Sequence, residues 1–288
     1  MNIGAMLIFG TLGIFIWQLN LPSAVIALLR AVIGTVSIGI FMLVTKQRLD
    51  FNVIKNNAPF LLISGAALGF NWILLFEAYR YTTIAVATLC YYMAPVFVVL
   101  LSPIVLKEKL TPTRFICSAV AIIGAVLISG ATVGEGQSFK GIIFGLLAAV
   151  LYCGIILTNK FIKNQSSTET TFLQLLISAV IMLPYVVMTQ NVTVADFDGK
   201  TIALVLTVGI IHTGIAYVLY FGSVQRIPAQ TAAVFSYIDP VSSIILSALI
   251  LSQQMTAIQI AGTVLILGAT SFNELSPYIR TKINGGTK

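Results

Sequence analysis

Charged residues are scarce in this sequence. Only 9% of its 288 residues are Asp, Glu, Lys or Arg, 58% are hydrophobic, and the mean hydropathy is +1.00. A soluble catalytic domain needs a solvated polar surface, and this composition leaves no room for one. The single histidine and three cysteines form no group with metal-ligand spacing, so neither a metal nor another cofactor is predicted. The composition argues against an enzyme.

The cysteines also give little reason to expect disulfides. Cys90, Cys117 and Cys153 are odd in number and fall inside apolar stretches. They are predicted to be small packing residues.

What the sequence does contain is long apolar stretches, separated by short loops. A helix needs about 20 apolar residues to cross the hydrocarbon core of a bilayer. Ten segments come close to that length: 3–19, 22–44, 57–77, 83–105, 112–130, 140–160, 168–188, 200–221, 228–251 and 256–273. The fold class predicted is an all-α integral membrane protein with ten transmembrane helices.

The basic residues predict the orientation of these helices, because Lys and Arg collect in short cytoplasmic loops. With the N-terminus inside, twelve of them face the cytoplasm, three face outside and Arg30 lies within a span. The twelve are Lys46, Arg48, Lys55, Lys107, Lys109, Arg114, Lys160, Lys163, Arg226, Arg280, Lys282 and Lys288; the three are Arg80, Lys140 and Lys200. This partition predicts two cytoplasmic termini. It also explains the net charge of +7 by topology and contact with anionic lipids, without a nucleic-acid partner.

The sequence repeats itself after 145 residues. At this offset Gly69 aligns with Gly214, and the Tyr-x-x-Pro of Tyr92 and Pro95 aligns with that of Tyr237 and Pro240. Each copy would hold five spans, an odd number, so the second copy must be inverted in the membrane. Inverted repeats are typical of transporters that bind their substrate near the midplane. The predicted division is 1–135 for the first repeat, 136–274 for the second and 275–288 for a cytoplasmic basic tail.

A family resemblance follows from these motifs. The segment from Tyr92 to Pro95, the Leu106-Lys107-Glu108-Lys109-Leu110 run, the second copy around Asp239 and Pro240, and Arg30 together resemble the EamA-type transporters of the drug/metabolite transporter superfamily. The sequence departs from that pattern at Gln253 and Gln254, where an acidic residue is usual. The resemblance implies a central cavity lined mainly by the first, third, fourth, sixth, eighth and ninth helices. It also implies transport of amino acids, nucleotide-related metabolites or toxic compounds, usually outward.

Asp239 is the outstanding candidate for substrate binding or coupling. It lies at the centre of the ninth span, where an acidic side chain costs about 2.5–3.5 kcal/mol to insert. Some interaction must offset that cost. Asp239 is expected to bind a substrate ammonium group, a proton or Na⁺; the alternative is a structural partnership with Arg30 or a tyrosine hydroxyl.

Pro95 and Pro240 are predicted hinges. Each removes a helical hydrogen bond in mid-membrane and releases the carbonyl of Tyr91 or Ser236. Such carbonyls persist in a bilayer only beside protein, water or a cavity. They either contact substrate or belong to a static kink that a nearby hydroxyl satisfies.

Arg30 and His212 have two interpretations each. Arg30 could attract a substrate carboxylate, but pairing with Asp239 or snorkelling to the outer interface is favoured, since the resemblance places the second helix at the periphery. His212, halfway along the eighth span, could relay protons or be a neutral core residue.

Polar and aromatic side chains recur on the proposed lining helices. Helix packing explains any one of them, but their convergence is typical of a ligand site with apolar walls and few polar groups. The predicted wall comprises Asn71, Trp72, Tyr91, Tyr92, Tyr152, Tyr217, Ser236 and Tyr237. Two glycine pairs, Gly65 with Gly69 and Gly141 with Gly145, predict close helix contacts.

The sequence therefore predicts a secondary transporter in the cytoplasmic membrane of a bacterium, a monomer or homodimer that exports small metabolites such as amino acids. No ATP-driven pump is predicted, because Gly199-Lys200-Thr201 lacks the earlier glycine of a phosphate-binding loop. A proton or ion gradient, or the gradient of the substrate itself, would drive transport. The alternatives are a membrane-embedded enzyme, a channel and a membrane scaffold that transports nothing.

Overall fold

Helices make up most of the described chain. The computed structural model describes residues 1–134, 139–191, 193, 196–224, 226–227 and 229–285, and these residues include no strand. The predicted repeat boundary at 135–136 and residues 286–288 of the predicted tail lie outside them. The helices are α1 (Asn2–Trp17), α2 (Ser23–Val44), α3 (Phe51–Tyr81), α4 (Ile84–Tyr91), α5 (Ala94–Val105), α6 (Pro112–Gly134), α7 (Phe139–Asn159), α8 (Ser167–Thr189), α9 (Gly199–Leu206), a π-helical segment (Thr207–Ile215), α10 (Ala216–Val224), α11 (Ala229–Ser236), α12 (Ile238–Leu251) and α13 (Ala257–Gly285).

These elements reproduce the ten predicted spans. The fourth span is α4 with α5, the eighth is α9, the π-helical segment and α10, and the ninth is α11 with α12. Among the described residues, nine spans are long and apolar enough to cross a bilayer, and α1 is an apolar helix of 16 residues. The three cysteines are buried and free, as predicted. The chain is thus a multi-pass integral membrane protein.

Two helices extend well beyond their predicted ends. The sequence predicts a third span over 57–77, but α3 has 31 residues. It begins at Phe51, and the preceding Asp50 caps it by accepting hydrogen bonds from the backbone N–H groups of Asn52 and Val53. The tenth span was predicted to end at residue 273, but α13 runs to Gly285. At 1.5 Å per residue, α3 is about 46 Å long, which exceeds the hydrocarbon thickness. Apolar runs alone therefore underestimate both helices.

The fourth and ninth spans share one irregular design. α4 ends at Tyr91 and α5 starts at Ala94, while α11 ends at Ser236 and α12 starts at Ile238. Pro95 and Pro240 thereby fall in the first turn of the second half-helix, where a missing N–H costs nothing. The proline does not kink a continuous helix; it begins a new one.

The same two spans also end alike. Lys107 (φ 56°) and Ser252 (φ 55°) are left-handed residues placed 145 apart. At the same offset, the Glu108 N–H bonds to the Ser102 carbonyl at 3.4 Å and the Gln253 N–H to the Ser247 carbonyl at 3.2 Å. This shared helix termination is local structure that the sequence repeat preserves.

Several glycines lie at close helix contacts. A Cβ on Gly65 would lie 2.8 Å from the Ile177 Cβ, one on Gly69 2.9 Å from the Met182 sulfur and one on Gly141 2.9 Å from the Thr82 nitrogen. The predicted close contacts are confirmed. α3 therefore packs tightly on α8, and α7 on the start of α4.

We expect Gly145→Leu to destabilise the bundle. A Cβ on Gly145 would lie 2.8 Å from the Cys90 Cβ and 3.2 Å from the Ala87 carbonyl oxygen, and both atoms are fixed to the backbone of α4. Overpacking of this kind costs about 1–3 kcal/mol, so the melting temperature of the purified protein should fall by several degrees. Gly154→Leu is the matched control, because Gly154 lies on the same helix with nothing within 4 Å. Equal melting temperatures for the two variants would contradict the packing argument.

Candidate functional site

A cavity of about 350 Å³ lies in the middle of the bundle. This volume is within the range of small-molecule sites. The first, third, fourth, sixth, eighth and ninth spans line it, as the family resemblance implied, and the second and tenth spans contribute one residue each. Its lining residues are Phe9, Leu12, Arg30, Leu68, Trp72, Leu75, Tyr79, Thr88, Tyr91, Tyr92, Pro95, Tyr152, Ile156, Tyr217, Tyr220, Ser236, Tyr237, Asp239, Ser243 and Glu274.

Charged side chains distinguish this cavity from two grooves between neighbouring helices on the surface of the bundle. Grooves of about 480 Å³ between α6 and α13, and about 710 Å³ between α2 and the eighth span, have no charged residue in their linings. In a membrane such apolar faces meet lipid tails. The central cavity instead holds Arg30, Asp239 and Glu274. It is therefore the candidate site.

Tyrosines form most of the cavity wall. Seven of the ten tyrosines in the chain line it. The Tyr91 and Tyr152 rings stack with centroids 5.1 Å apart, and the Tyr91 and Tyr92 rings meet edge to face at 6.3 Å. Tyr217 packs on Phe9, with ring centroids 5.5 Å apart. The wall offers aromatic faces to an apolar or cationic group and hydroxyls to a polar one.

Asp239 reaches the cavity from the first turn of α12. Its Oδ2 accepts a hydrogen bond of 2.9 Å from the Tyr92 hydroxyl, which also lies 3.4 Å from the Ser236 carbonyl oxygen. α1 approaches this turn closely, since a Cβ on Gly10 would lie 2.8 Å from the Asp239 carbonyl oxygen. The hydrogen bond and the positive end of the α12 dipole both favour a carboxylate here. Together they offset part of the cost of placing Asp239 in mid-membrane.

Arg30 neither pairs with Asp239 nor snorkels, in contrast to the favoured prediction. Its side chain is 4% exposed, and its Cζ lies 3.9 Å from the centre of the Trp72 ring. Its Nε donates a hydrogen bond of 2.9 Å to the Thr213 hydroxyl. The structure describes both residues, and no Arg30 nitrogen lies within 4.0 Å of an Asp239 carboxylate oxygen. The long Arg30 side chain extends along Trp72 and reaches the cavity, although Arg30 belongs to the second helix, which was expected at the periphery.

Glu274 is a cavity residue that the sequence did not reveal. It follows the predicted end of the tenth span, but the longer α13 carries it to the cavity, where its carboxyl group lies beside the Tyr237 hydroxyl. Tyr92 and Tyr237 occupy equivalent positions in the repeat, and each has a carboxyl group nearby: Asp239 accepts a hydrogen bond from Tyr92, and Glu274 lies near Tyr237. Tyr79 was also missed, and no sequence signal separates it from other buried aromatic residues.

Asn71 and His212 lie outside the cavity. Asn71 is fully buried between α3 and α7, and its Nδ2 donates to the Ala148 carbonyl at 2.5 Å. The His212 Nδ1 donates to the Thr207 carbonyl at 3.3 Å, and its Nε2 lies 2.8 Å from the Thr11 hydroxyl. Both side chains make helix–helix contacts. The other predicted wall residues, Trp72, Tyr91, Tyr92, Tyr152, Tyr217, Ser236 and Tyr237, line the cavity with Asp239 and Pro95; Pro240 is buried in α12 beside it.

The sequence matches a family model over both halves. Residues 1–130 and 139–273 match the EamA-like transporter family. The chain is 31% identical over 265 residues to the uncharacterized transporter YxxF of Bacillus subtilis (strain 168), covering 91% of this chain and 84% of that protein.

Two further relatives have names that state a substrate. The chain is 26% identical over 251 residues to the pseudopaline exporter CntI of Pseudomonas aeruginosa, covering 87% of this chain and 85% of the exporter. It is 24% identical over 225 residues to the S-adenosylmethionine uptake transporter of Rickettsia prowazekii, covering 77% and 74%. One crystal structure of another protein, 21% identical, has a TM-score of 0.63 over 94% of this chain and 93% of that one, which supports the fold.

Proposed function

Because the chain belongs to the EamA-like transporter family, we propose that it is a secondary transporter that exports small polar or amphipathic metabolites, such as amino acids. The observation that carries this proposal is the central cavity, which holds both cationic and anionic side chains between two broken helices. Discontinuous helices at the midplane are typical of secondary transporters. The membrane proposed is the cytoplasmic membrane of a bacterium.

Alternating access would arise from two inverted repeats. The 145-residue offset, the shared helix breaks and the shared left-handed residues Lys107 and Ser252 support a duplication, and the loop charges support the inversion. The termini would both be cytoplasmic. Because the native cysteines are buried, a membrane-impermeant maleimide can check this. It should label Lys46→Cys from the cytoplasmic side and Gln254→Cys from outside; the reverse pattern, or labelling of both from one side, would contradict the orientation.

Asp239 supplies a simple basis for coupling and for direction. A carboxylate that binds either a proton or a substrate ammonium group, but not both, makes the two ligands compete. With a proton gradient directed into the cell, this competition drives the substrate outward. Na⁺ in place of the proton would give the same exchange.

Counterflow tests the proposed function. Proteoliposomes preloaded with unlabelled leucine or phenylalanine should transiently accumulate the labelled form of the same amino acid above its equilibrium level, because a carrier exchanges substrate across the membrane. A channel, the second candidate, lets the label only equilibrate. A scaffold gives the same flux as empty liposomes. Either of the last two results would overturn the proposal for these amino acids.

A further inference from the structure

Arg30 is held in place by two groups that leave its charge available. Its Nε is bonded to Thr213 and its guanidinium plane covers Trp72. Within the described part of the chain its terminal Nη nitrogens have no hydrogen-bond partner, and the side chain borders the cavity. A buried cation without an anion is costly. The planar pair of Nη groups matches the two oxygens of a carboxylate.

Close helix packing fixes the position of this guanidinium. α2 contacts the π-helical segment at glycines: a Cβ on Gly34 would lie 2.5 Å from the Thr213 Cγ2, and one on Gly209 2.5 Å from the Ile33 Cβ. The Thr213 hydroxyl donates its proton to the Val208 carbonyl at 3.2 Å. Its lone pairs therefore remain for the Arg30 Nε. The arginine is preorganised before any ligand arrives, and this lowers the entropic cost of binding.

The cavity separates this cation from a fixed anion. Asp239 lies more than 4.0 Å from Arg30, and the Tyr92 hydroxyl holds its carboxylate. A ligand with only an amine would leave Arg30 without an anion, and a ligand with only an acid would leave Asp239 without a cation. Sites with buried polar groups reject a ligand that leaves one of them unmatched.

We propose that Arg30 binds the carboxylate of the transported molecule while Asp239 binds its ammonium group, so that the cavity selects zwitterions of the amino-acid class. This inference rests on the proposed function, whose substrate class it narrows. It assigns recognition of the anionic group to the second helix. The tyrosine wall would receive the side chain of the substrate.

The test compares ligands that differ by one charge. Calorimetric titration of the purified full-length protein would use phenylalanine, 2-phenylethylamine and 3-phenylpropionate, together with leucine, 3-methylbutylamine and 4-methylpentanoate. A charge-assisted hydrogen bond left unmade weakens binding by about tenfold or more, so at least one amino acid should bind about tenfold more tightly than both its amine and its acid. In a Trp17→Phe variant the remaining Trp72, which lies against Arg30, should change its fluorescence on binding.

Variants assign each charge to its residue. Arg30→Met should remove the preference for the amino acid over the amine, whereas Asp239→Asn should remove the preference over the acid. Lys140→Met is the matched control, since the Lys140 ammonium group lies 5.8 Å from the Tyr81 ring outside the cavity; it should keep both preferences. If Arg30→Met does not fold, Arg30→Lys supplies the comparison: a reduced preference over the amine supports the proposal and an unchanged one overturns it.

Three results would overturn the proposal: equal binding of the amino acid and its amine by the unaltered protein, no binding of any of the six compounds, or a preference that survives in Arg30→Met. Counterflow separates this inference from the proposed function. If amines and amino acids are exchanged at equal rates, the proposed transport function stands and the zwitterion site is rejected. Charge-dependent binding without counterflow would support the site and reject transport.

Discussion

Asp239→Asn is expected to abolish accumulation driven by a pH gradient while leaving slow exchange and the fold in place. Asparagine keeps the size of the side chain and can still accept the hydrogen bond from the Tyr92 hydroxyl, but it cannot bind or release a proton. Proteoliposomes with an acidic interior drive protons outward, so a proton antiporter should concentrate labelled leucine or phenylalanine inside. The unaltered protein should do so, and Asp239→Asn should bring the label only to equilibrium.

Glu77→Gln is the matched control for this measurement. It also removes a carboxylate from a spanning helix, but Glu77 does not line the cavity, and the variant should respond to the gradient like the unaltered protein. An Asp239→Asn variant that still accumulates label would reject Asp239 as the coupling group. Glu274, the other carboxylate of the cavity, would then be the group to replace next.

Tyr92→Ala and Tyr237→Ala are each expected to reduce the rate of transport by about tenfold or more, while the amount of folded protein stays within about twofold. Each substitution removes an aromatic wall of the cavity and a hydroxyl beside a carboxyl group. Tyr92→Phe separates the two roles, because it keeps the ring and removes only the hydroxyl group that bonds to Asp239. Its rate should fall between those of Tyr92→Ala and the unaltered protein.

Tyr185→Ala provides the control for loss of an aromatic ring. Tyr185 is 39% exposed, packs edge to face with Phe70 at 6.0 Å and does not line the cavity. The transport rate of the variant, measured as initial uptake per folded molecule, should be unchanged. Normal transport rates in Tyr92→Ala and Tyr237→Ala would show that these tyrosines serve helix packing and not substrate binding.

The spans were predictable because a bilayer makes hydropathy and length the dominant constraints on the chain. The ends of α3 and α13 were not, since a helix can continue into the interfacial region with polar residues. Glu274 was missed for that reason: it follows the last apolar residues, yet it belongs to the same helix as they do.

The composition of the cavity was predictable only in part, because helical periodicity finds a polar face without showing what that face meets. Asn71 and Trp72 are neighbours in sequence, yet one contacts α7 and the other lines the cavity. In the eighth span the π-helical segment adds a further difficulty. Its wider turns rotate Thr213 toward Arg30 and His212 toward Thr11, so a period of 3.6 residues misjudges which side they face.

The hydrogen bond from Tyr92 to Asp239 links the two halves of the sequence, since Tyr92 directly follows α4 and Asp239 lies in the first turn of α12. A proton that arrives on Asp239 removes the negative charge of the group that accepts this hydrogen bond, and a neutral acceptor binds the hydroxyl less strongly. The strength of this hydrogen bond therefore depends on what the carboxyl group has bound. By thermodynamic reciprocity, any conformational change that weakens this hydrogen bond must also change the affinity of the carboxyl group for a proton. The conformation of the two halves and the ligand bound to Asp239 are therefore coupled through this contact.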